Sequence, residues 1–176
     1  MVQLRCFLTA EEHFDKGSGT LKRNVTISDI RIDKEGIWYY RGREIFRDEI
    51  VRLFYQNLKR DEAGRYLIEL ENDRCYLEVE DTPFVVRAVY RCTSKPDNED
   101  CIYLLLSDQS LEKLDADTLR VGKDNVLYCS VKNGVFITRF SRAAYYQIAD
   151  FIEHDNAADR YFIPLNGKQF CINITP

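Results

Sequence analysis

Two arginines stand where a positive charge is least expected. Arg47 and Arg142 lie 95 residues apart, each at the first turn of a predicted helix. The partial positive charge of a helix N-terminus disfavours an exposed cation there by roughly 0.3–1 kcal/mol. A guanidinium beside free backbone N–H groups makes a fork for a carboxylate or phosphate, so both are candidate ligand-binding groups. The commoner use of such a charge is structural: a salt bridge of Arg47 with Glu80 or Asp81, or plain solvation. Aromatic residues are the second source of binding chemistry: Trp38, Tyr39, Tyr40, Tyr145, Tyr146 and Tyr161. Strand alternation sends Trp38 and Tyr40 to one face and Ile37 and Tyr39 to the other. One face belongs to a core and the other is free to line a cleft. Trp38 and Tyr145 therefore join the candidate set, although aromatic clusters are more often packing. The acids Glu78, Glu80 and Asp81 are the third source. Asp81 is a candidate ligand contact or a partner for Arg47. Carboxylates at this spacing are common on solvated strands, and no metal site is assigned.

Catalytic chemistry is poorly represented. The two histidines are His13 near the N-terminus and His154 at a predicted helix end, where the dipole alone favours it. No nucleophile elbow, P-loop, dinucleotide fingerprint or zinc-protease motif is present. No catalytic residue and no cofactor are assigned.

The elements that must position these residues are legible from periodicity. Between Arg47 and Arg60, Ile50, Leu53, Phe54 and Leu58 repeat at helical spacing. Asp48 and Glu49 suit the first turn, Lys59 and Arg60 the last, and Asp61 to Gly64 breaks the run. Arg65–Leu70 and Arg74–Val79 alternate as strands around a turn at Glu71–Asp73. From Ser141 to Ile174 the order recurs. Ser141 is a good N-cap; Tyr145, Ile148, Ala149 and Ile152 keep helical spacing; His154–Asp159 is the break. Arg160–Leu165 and Gln169–Ile174 are strands around an Asn166-Gly167 turn. Ile50 and Tyr145, Leu53 and Ile148, and Arg65 and Arg160 are each 95 residues apart. RYLIEL and RYFIPL share Arg, Tyr, Ile and Leu. Each helix is preceded by two strands: Asp29–Asp33 and Ile37–Tyr40 in the first case, Val126–Val131 and Val135–Phe140 around Lys132-Asn-Gly134 in the second.

The reading is an internal duplication in an α+β chain: two tandem β-β-α-β-β motifs packed as one compact unit and joined by a β-hairpin segment. Residues 1–24 form an N-terminal arm, 25–81 the first motif, 82–122 the connecting β segment and 123–176 the second motif. Within the connection, Phe84–Arg91 and Cys101–Leu106 are β-rich, while Ser107–Val121 follows neither period. Val79-Glu-Asp-Thr-Pro-Phe84 reads as an architectural end to the first motif. Pro164 marks its strand as an edge.

A chain of 176 residues with net charge −4 has material for a real core and lacks the basic surplus of a general nucleic-acid binder. No apolar run reaches membrane-spanning length. Arg5, Glu11 and Glu12 interrupt the N-terminal patch, so no signal peptide is read and a cytoplasmic protein is expected. Six cysteines show no metal-ligand rhythm. Cys92 and Cys101 flank the turn of a hairpin and could face each other; in a cytoplasmic chain both are expected as thiols.

DIRIDKEGIWYYRGREIFRDEIVRLF, VEDTPF, YCSVKNGVFITRFSRAAYYQIADF and FIPL together resemble a bacterial family known only as domain of unknown function 1285, over about Ile27 to Leu165. Glu35-Gly36 at the first turn departs from that pattern. So does Ile68-Glu-Leu-Glu71, where the family has a Thr-Pro run before Glu-Lys. The resemblance implies two similar α/β motifs in one unit and a signalling or ligand-binding role. It carries over no catalytic residue.

The functional expectation is a non-enzymatic cytoplasmic module, possible signalling roles included, that binds a small anionic ligand or a protein partner in a cleft between the two motifs. Neither nucleic acid nor membrane is expected as a partner. One alternative is an enzyme of unrecognised type using Arg47, Arg142 and Glu80 or Asp81. Another is a structural protein that oligomerises through exposed strand edges.

Overall fold

The computed structural model describes residues 25–70, 73–94 and 99–174. The predicted arm with His13, the Glu71-Asn72 part of the first turn and the Pro96 loop lie outside the described residues. The chain divides into two compact units, residues 1–80 and 81–176.

In the first unit the order is β1 (Val25–Ile32), β2 (Trp38–Tyr40), β3 (Arg43–Glu44), α1 (Asp48–Gln56), β4 (Leu58–Arg60), β5 (Tyr66–Leu70) and β6 (Asp73–Val79). They form one sheet in the order β3-β2-β1-β6-β5-β4, parallel between β1 and β6 and antiparallel elsewhere. Ile30, Ile32, Trp38, Phe54, Ile68 and Cys75 are buried where α1 covers this sheet. The helix begins where the apolar spacing predicts and stops sooner. Asn57 Nδ2 donates to the Leu53 carbonyl at 2.8 Å, and Leu58 to Arg60 leave the helix as β4. The competing force is tertiary: Leu58 pairs opposite Ile68 and is buried. Burying a leucine, worth about 1.5–3 kcal/mol, outweighs the helix propensity of Lys59 and Arg60.

The second unit runs β7 (Phe84–Ser94), β8 (Glu99–Leu106), β9 (Leu111–Lys113), a 3-10 turn (Ala116–Thr118), β10 (Arg120–Val121), a second 3-10 turn (Lys123–Asn125), β11 (Leu127–Val131), β12 (Phe136–Phe140), α2 (Arg142–Ala149), β13 (Glu153–Asp155), β14 (Arg160–Leu165), β15 (Lys168–Cys171) and β16 (Asn173–Ile174). One sheet has the order β16-β10-β11-β12-β7-β8-β9 and a smaller one β13-β14-β15. The stretch from 82 to 122, expected to connect two motifs, is instead built into this unit's larger sheet, with β7 parallel to β12. The aperiodic run after Ser107 resolves into β9, a 3-10 turn whose Asp115 side chain accepts from Asp117 N, and β10. Ser141 caps α2 as predicted, its Oγ accepting from Ala144 N at 3.2 Å. Asn166 and Gly167 take positive φ (51° and 75°) in the turn from β14 to β15, the backbone such tight hairpins require.

The fold class is α+β, mostly sheet with two α-helices among the described residues. The predicted β-β-α-β-β element order needs correction in both halves. Each helix is followed by three antiparallel strands, β4-β5-β6 and β13-β14-β15. The first meander continues its sheet through β6 to β1, whereas the second is a sheet of its own and passes β16 to β10. The edge reading of Pro164 also needs correction, because β14 is the central strand of its sheet. Its neighbour β13 reaches only Arg160 to Phe162, so the missing N–H of Pro164 interrupts no bond to β13.

Candidate functional site

Trp38 is core. It is 1 % exposed, with its ring 5.6 Å from Phe54 and 5.0 Å from Tyr55. Its Nε1 has no hydrogen-bond partner among the described residues. Strand alternation correctly separated it from Ile37, but the face it occupies lies under α1, so it is no ligand wall. Arg47 is the exposed N-cap residue of α1, its carbonyl accepting from Ile50 N at 3.0 Å. Its side chain borders an open hollow of about 390 Å³ beside Tyr40, Arg43 and Phe46, the last 80 % exposed. The acids proposed to neutralise it are engaged elsewhere: Glu80 accepts from Arg31 at 3.3 Å and Asp81 from Arg139 at 2.9 Å.

Asp81 is architectural. Its carboxylate also accepts from the Tyr128 hydroxyl at 3.1 Å, and burial followed by that negative charge raises the Tyr128 pKa. Thr82 Oγ1 accepts from Arg139 N and donates to the Phe84 carbonyl. The motif Val79 to Phe84 thus spans a boundary: Glu80 is tied within the first unit, Asp81 and Thr82 within the second. Arg142 opens α2, exposed, with its guanidinium carbon 5.9 Å from the Tyr146 ring centroid.

Tyr145 belongs to a groove in the second unit. Along α2 and its exit, Tyr145, Ala149 and Ile152 fall one helical turn apart and turn the same way. Opposite them stand Val121 of β10, Asn125, Leu127 of β11, Ile172 and Ile174 of β16, with His154 of β13 and Tyr161 of β14 beside them; together they enclose about 480 Å³. That volume lies within the roughly 300–1,000 Å³ of small-molecule sites. Tyr145, Tyr161 and Ile174 are 39, 49 and 69 % exposed, an accessible apolar cluster rather than a closed core. His154 and Tyr161 are directly opposed across β13 and β14, ring centroids 4.5 Å apart. The imidazole edge is held by the following turn: Nδ1 lies 3.0 Å from Asn156 Oδ1 and Nε2 3.1 Å from Asp159 Oδ1. Asp155 braces that turn by accepting from Ala157 N and Ala158 N, and these backbone bonds hold its carboxyl below the usual range.

Chemically, the groove offers an aliphatic floor, three aromatic rings at its mouth and the Asn125 amide. Neither Asp81 nor Arg142 lines it. Sequence reasoning missed His154 because it ended α2 at that residue. The short β13 it occupies has no periodic signature of its own. Among the described residues no group of three or more His, Cys, Asp or Glu could hold a metal ion. No described helix is long and apolar enough to cross a membrane.

Fold and groove together define a sheet-rich α+β protein of two units, each with one short α-helix among the described residues, the second carrying an accessible apolar hollow. Comparison with known proteins matches part of the chain to a family. Residues 23–82 match the model of the domain of unknown function DUF1285, N-terminal domain. A DUF1285 family protein from Silicibacter pomeroyi DSS-3 is similar over 83 % of this chain and 80 % of that one, at 23 % identity and a TM-score of 0.69. Another from Shewanella baltica OS155 is similar over 69 % of this chain and 91 % of that one, at 20 % identity and a TM-score of 0.57. The family match covers residues 23–82, and the two solved structures share the fold of the chain over the stretches given. No curated protein matches it.

Proposed function

We propose that this chain is a non-enzymatic binding module and that the groove beside α2 receives its ligand, a small molecule with an apolar or aromatic body. The observation that carries this reading is the 480 Å³ hollow with Tyr145 and Tyr161 rings exposed at its mouth. Exposed aromatics that converge on a concavity gain contact area on binding at little conformational cost. The test uses 8-anilinonaphthalene-1-sulfonate, an aromatic probe with one anionic group. Its fluorescence rises with the folded chain, and Ala149→Phe, which fills the groove from the α2 side, abolishes the rise while the far-ultraviolet spectrum is unchanged. Enhancement that survives Ala149→Phe refutes the assignment. A screen of metabolites then follows by thermal shift, where a ligand at about a hundred times its Kd adds roughly 2.7 kcal/mol.

A second observation favours anion binding as a separate property. Neither the Arg47 nor the Arg142 guanidinium has an acidic partner among the described residues. Charge reversal at both, with anionic ligands still bound at wild-type affinity, removes that reading. We also infer that the two units descend from one repeat. The constant spacing of 95 residues between α1–β4–β5 and α2–β13–β14 supports it, with Leu58–Arg60 and Glu153–Asp155 at matching positions.

A further inference from the structure

Two thiols face each other near the outer end of the β7–β8 hairpin. Cys92 and Cys101 are directly paired in the ladder and neither is bonded. The hydrogen-bond pattern fixes which kind of pair they make. Asp100 N donates to Asn166 Oδ1 at 2.7 Å and Asp100 O accepts from Asn166 Nδ2 at 2.9 Å. Ile102 O accepts from Leu114 N at 2.8 Å. Residues 100 and 102 of β8 therefore bond away from β7, and Cys101 between them bonds toward it. Such a pair has Cα atoms about 5.5 Å apart, inside the roughly 4.4–6.8 Å that a disulfide spans. Its β-carbons stand toward the wide end of about 4.5–5.5 Å, beyond the roughly 3.5–4.5 Å of a relaxed bridge. A bond closed here is strained and easily reduced.

The two sulfurs differ in access. Cys92 is exposed and Cys101 is 3 % exposed.

We propose that Cys92 and Cys101 form a reversible thiol–disulfide site for low-molecular-weight disulfides, with the exposed Cys92 the attacking thiol and the buried Cys101 the resolving thiol. The Cys92 thiolate attacks one sulfur of the small disulfide. A Cys92 mixed disulfide forms and one small thiolate leaves. The Cys101 thiolate then attacks Cys92 Sγ, closes the cross-strand bond and expels the second small thiolate. The two protons given up by the cysteines go to the two leaving thiolates, and two electrons pass from the pair to the oxidant. This site is independent of the groove.

The test treats the full chain with oxidised glutathione, quenches with an alkylating reagent and maps the peptides by mass. The expected product is a Cys92–Cys101 bridge two hydrogens lighter than the dithiol, reversed by dithiothreitol. Cys101→Ser stops at the Cys92–glutathione adduct. Cys92→Ser, altered at an exposed position, leaves Cys101 unmodified. A wild-type adduct that never closes, or a Cys92 bond to another chain, overturns the site.

Discussion

Replacing Lys132 by Met should be among the most damaging single changes in the second unit. The Lys132 ammonium, on the loop joining β11 to β12, reaches Asp108 Oδ2, Ser110 Oγ and Glu112 Oε1, each at 2.7 Å. Its backbone N–H donates to the other Glu112 oxygen at 2.9 Å, and its charge lies 5.2 Å from the Phe84 ring centroid. The side chains of Lys132, Asp108 and Glu112 are 26, 13 and 26 % exposed. Methionine keeps the length of the stem and leaves two carboxylates without their cation. Breaking a fully buried pair costs about 3–5 kcal/mol; with this residual exposure the expectation is about 2–3 kcal/mol at neutral pH. The pH dependence follows from the carboxyl. Burial pushes the Asp108 pKa up, but hydrogen bonds from Lys132 and Ser110 outweigh burial and hold it below 3.8. Its contribution is therefore complete above the unfolded value and is lost as pH falls through the lower folded one. Lys132 has the opposite sign. Burial lowers its pKa, the bonds to Asp108 and Glu112 raise it further, and it ends above 10.5, so its contribution is lost only as pH rises past the raised value. Without Lys132 the Asp108 carboxyl keeps its bonds from Ser110 but loses its cation against burial, and its pKa climbs. The gap between wild type and Lys132→Met should thus narrow from pH 7 to pH 4. Hydrogen exchange at the Leu104 and Leu106 amides, with urea unfolding across that range, measures it. A gap under about 0.5 kcal/mol at pH 7, the size of an ordinary surface change, refutes the electrostatic reasoning. So does a gap of constant size.

Glu69 accepts from Lys59 and Arg74, and those bonds, working against burial, hold its carboxyl down to about 2. A carboxyl-detected NMR titration should place its midpoint there. Its contribution to stability is present above 4.5, the ordinary value, and fades as pH falls toward 2, and Arg74→Gln moves the midpoint upward. Ser141→Ala removes the α2 cap and should cost about 1 kcal/mol by urea unfolding, with weaker probe binding because that helix carries Tyr145. Gly122→Ala puts a Cβ 2.9 Å from Tyr128 Cε2, and should destabilise by about 1–3 kcal/mol and displace the Tyr128 hydroxyl from Asp81.

Much of the chain was legible wherever one residue type answered one local demand. Ser141 announced a cap and has one. Asn166-Gly167 and Lys132-Asn-Gly134 announced tight turns, and positive φ is found at all five positions. The apolar spacing of Ile50 and Phe54, and of Ile148, put those side chains in the core. Leu58 was misread because its place in a helical period and its place opposite Ile68 both bury it. Periodicity cannot separate two arrangements that hide the same side chain. The candidate site was legible at Tyr145 and hidden at His154, whose value lies in the Tyr161 ring that pairs with it across a three-residue strand.

Local chemistry alone determined that this chain would alternate short helices with hairpins, where the turns would fall and that the class would be α+β. Tertiary structure decided which charges would be neutralised and which aromatics would be reached by solvent. Arg139 rather than Arg47 holds Asp81, and Trp38 lies beneath α1 while Tyr145 and Tyr161 open onto a groove. The reason is that turns and caps are set by bonds between near neighbours, whereas exposure and ion pairing depend on distances between strands far apart in sequence, which no local pattern encodes.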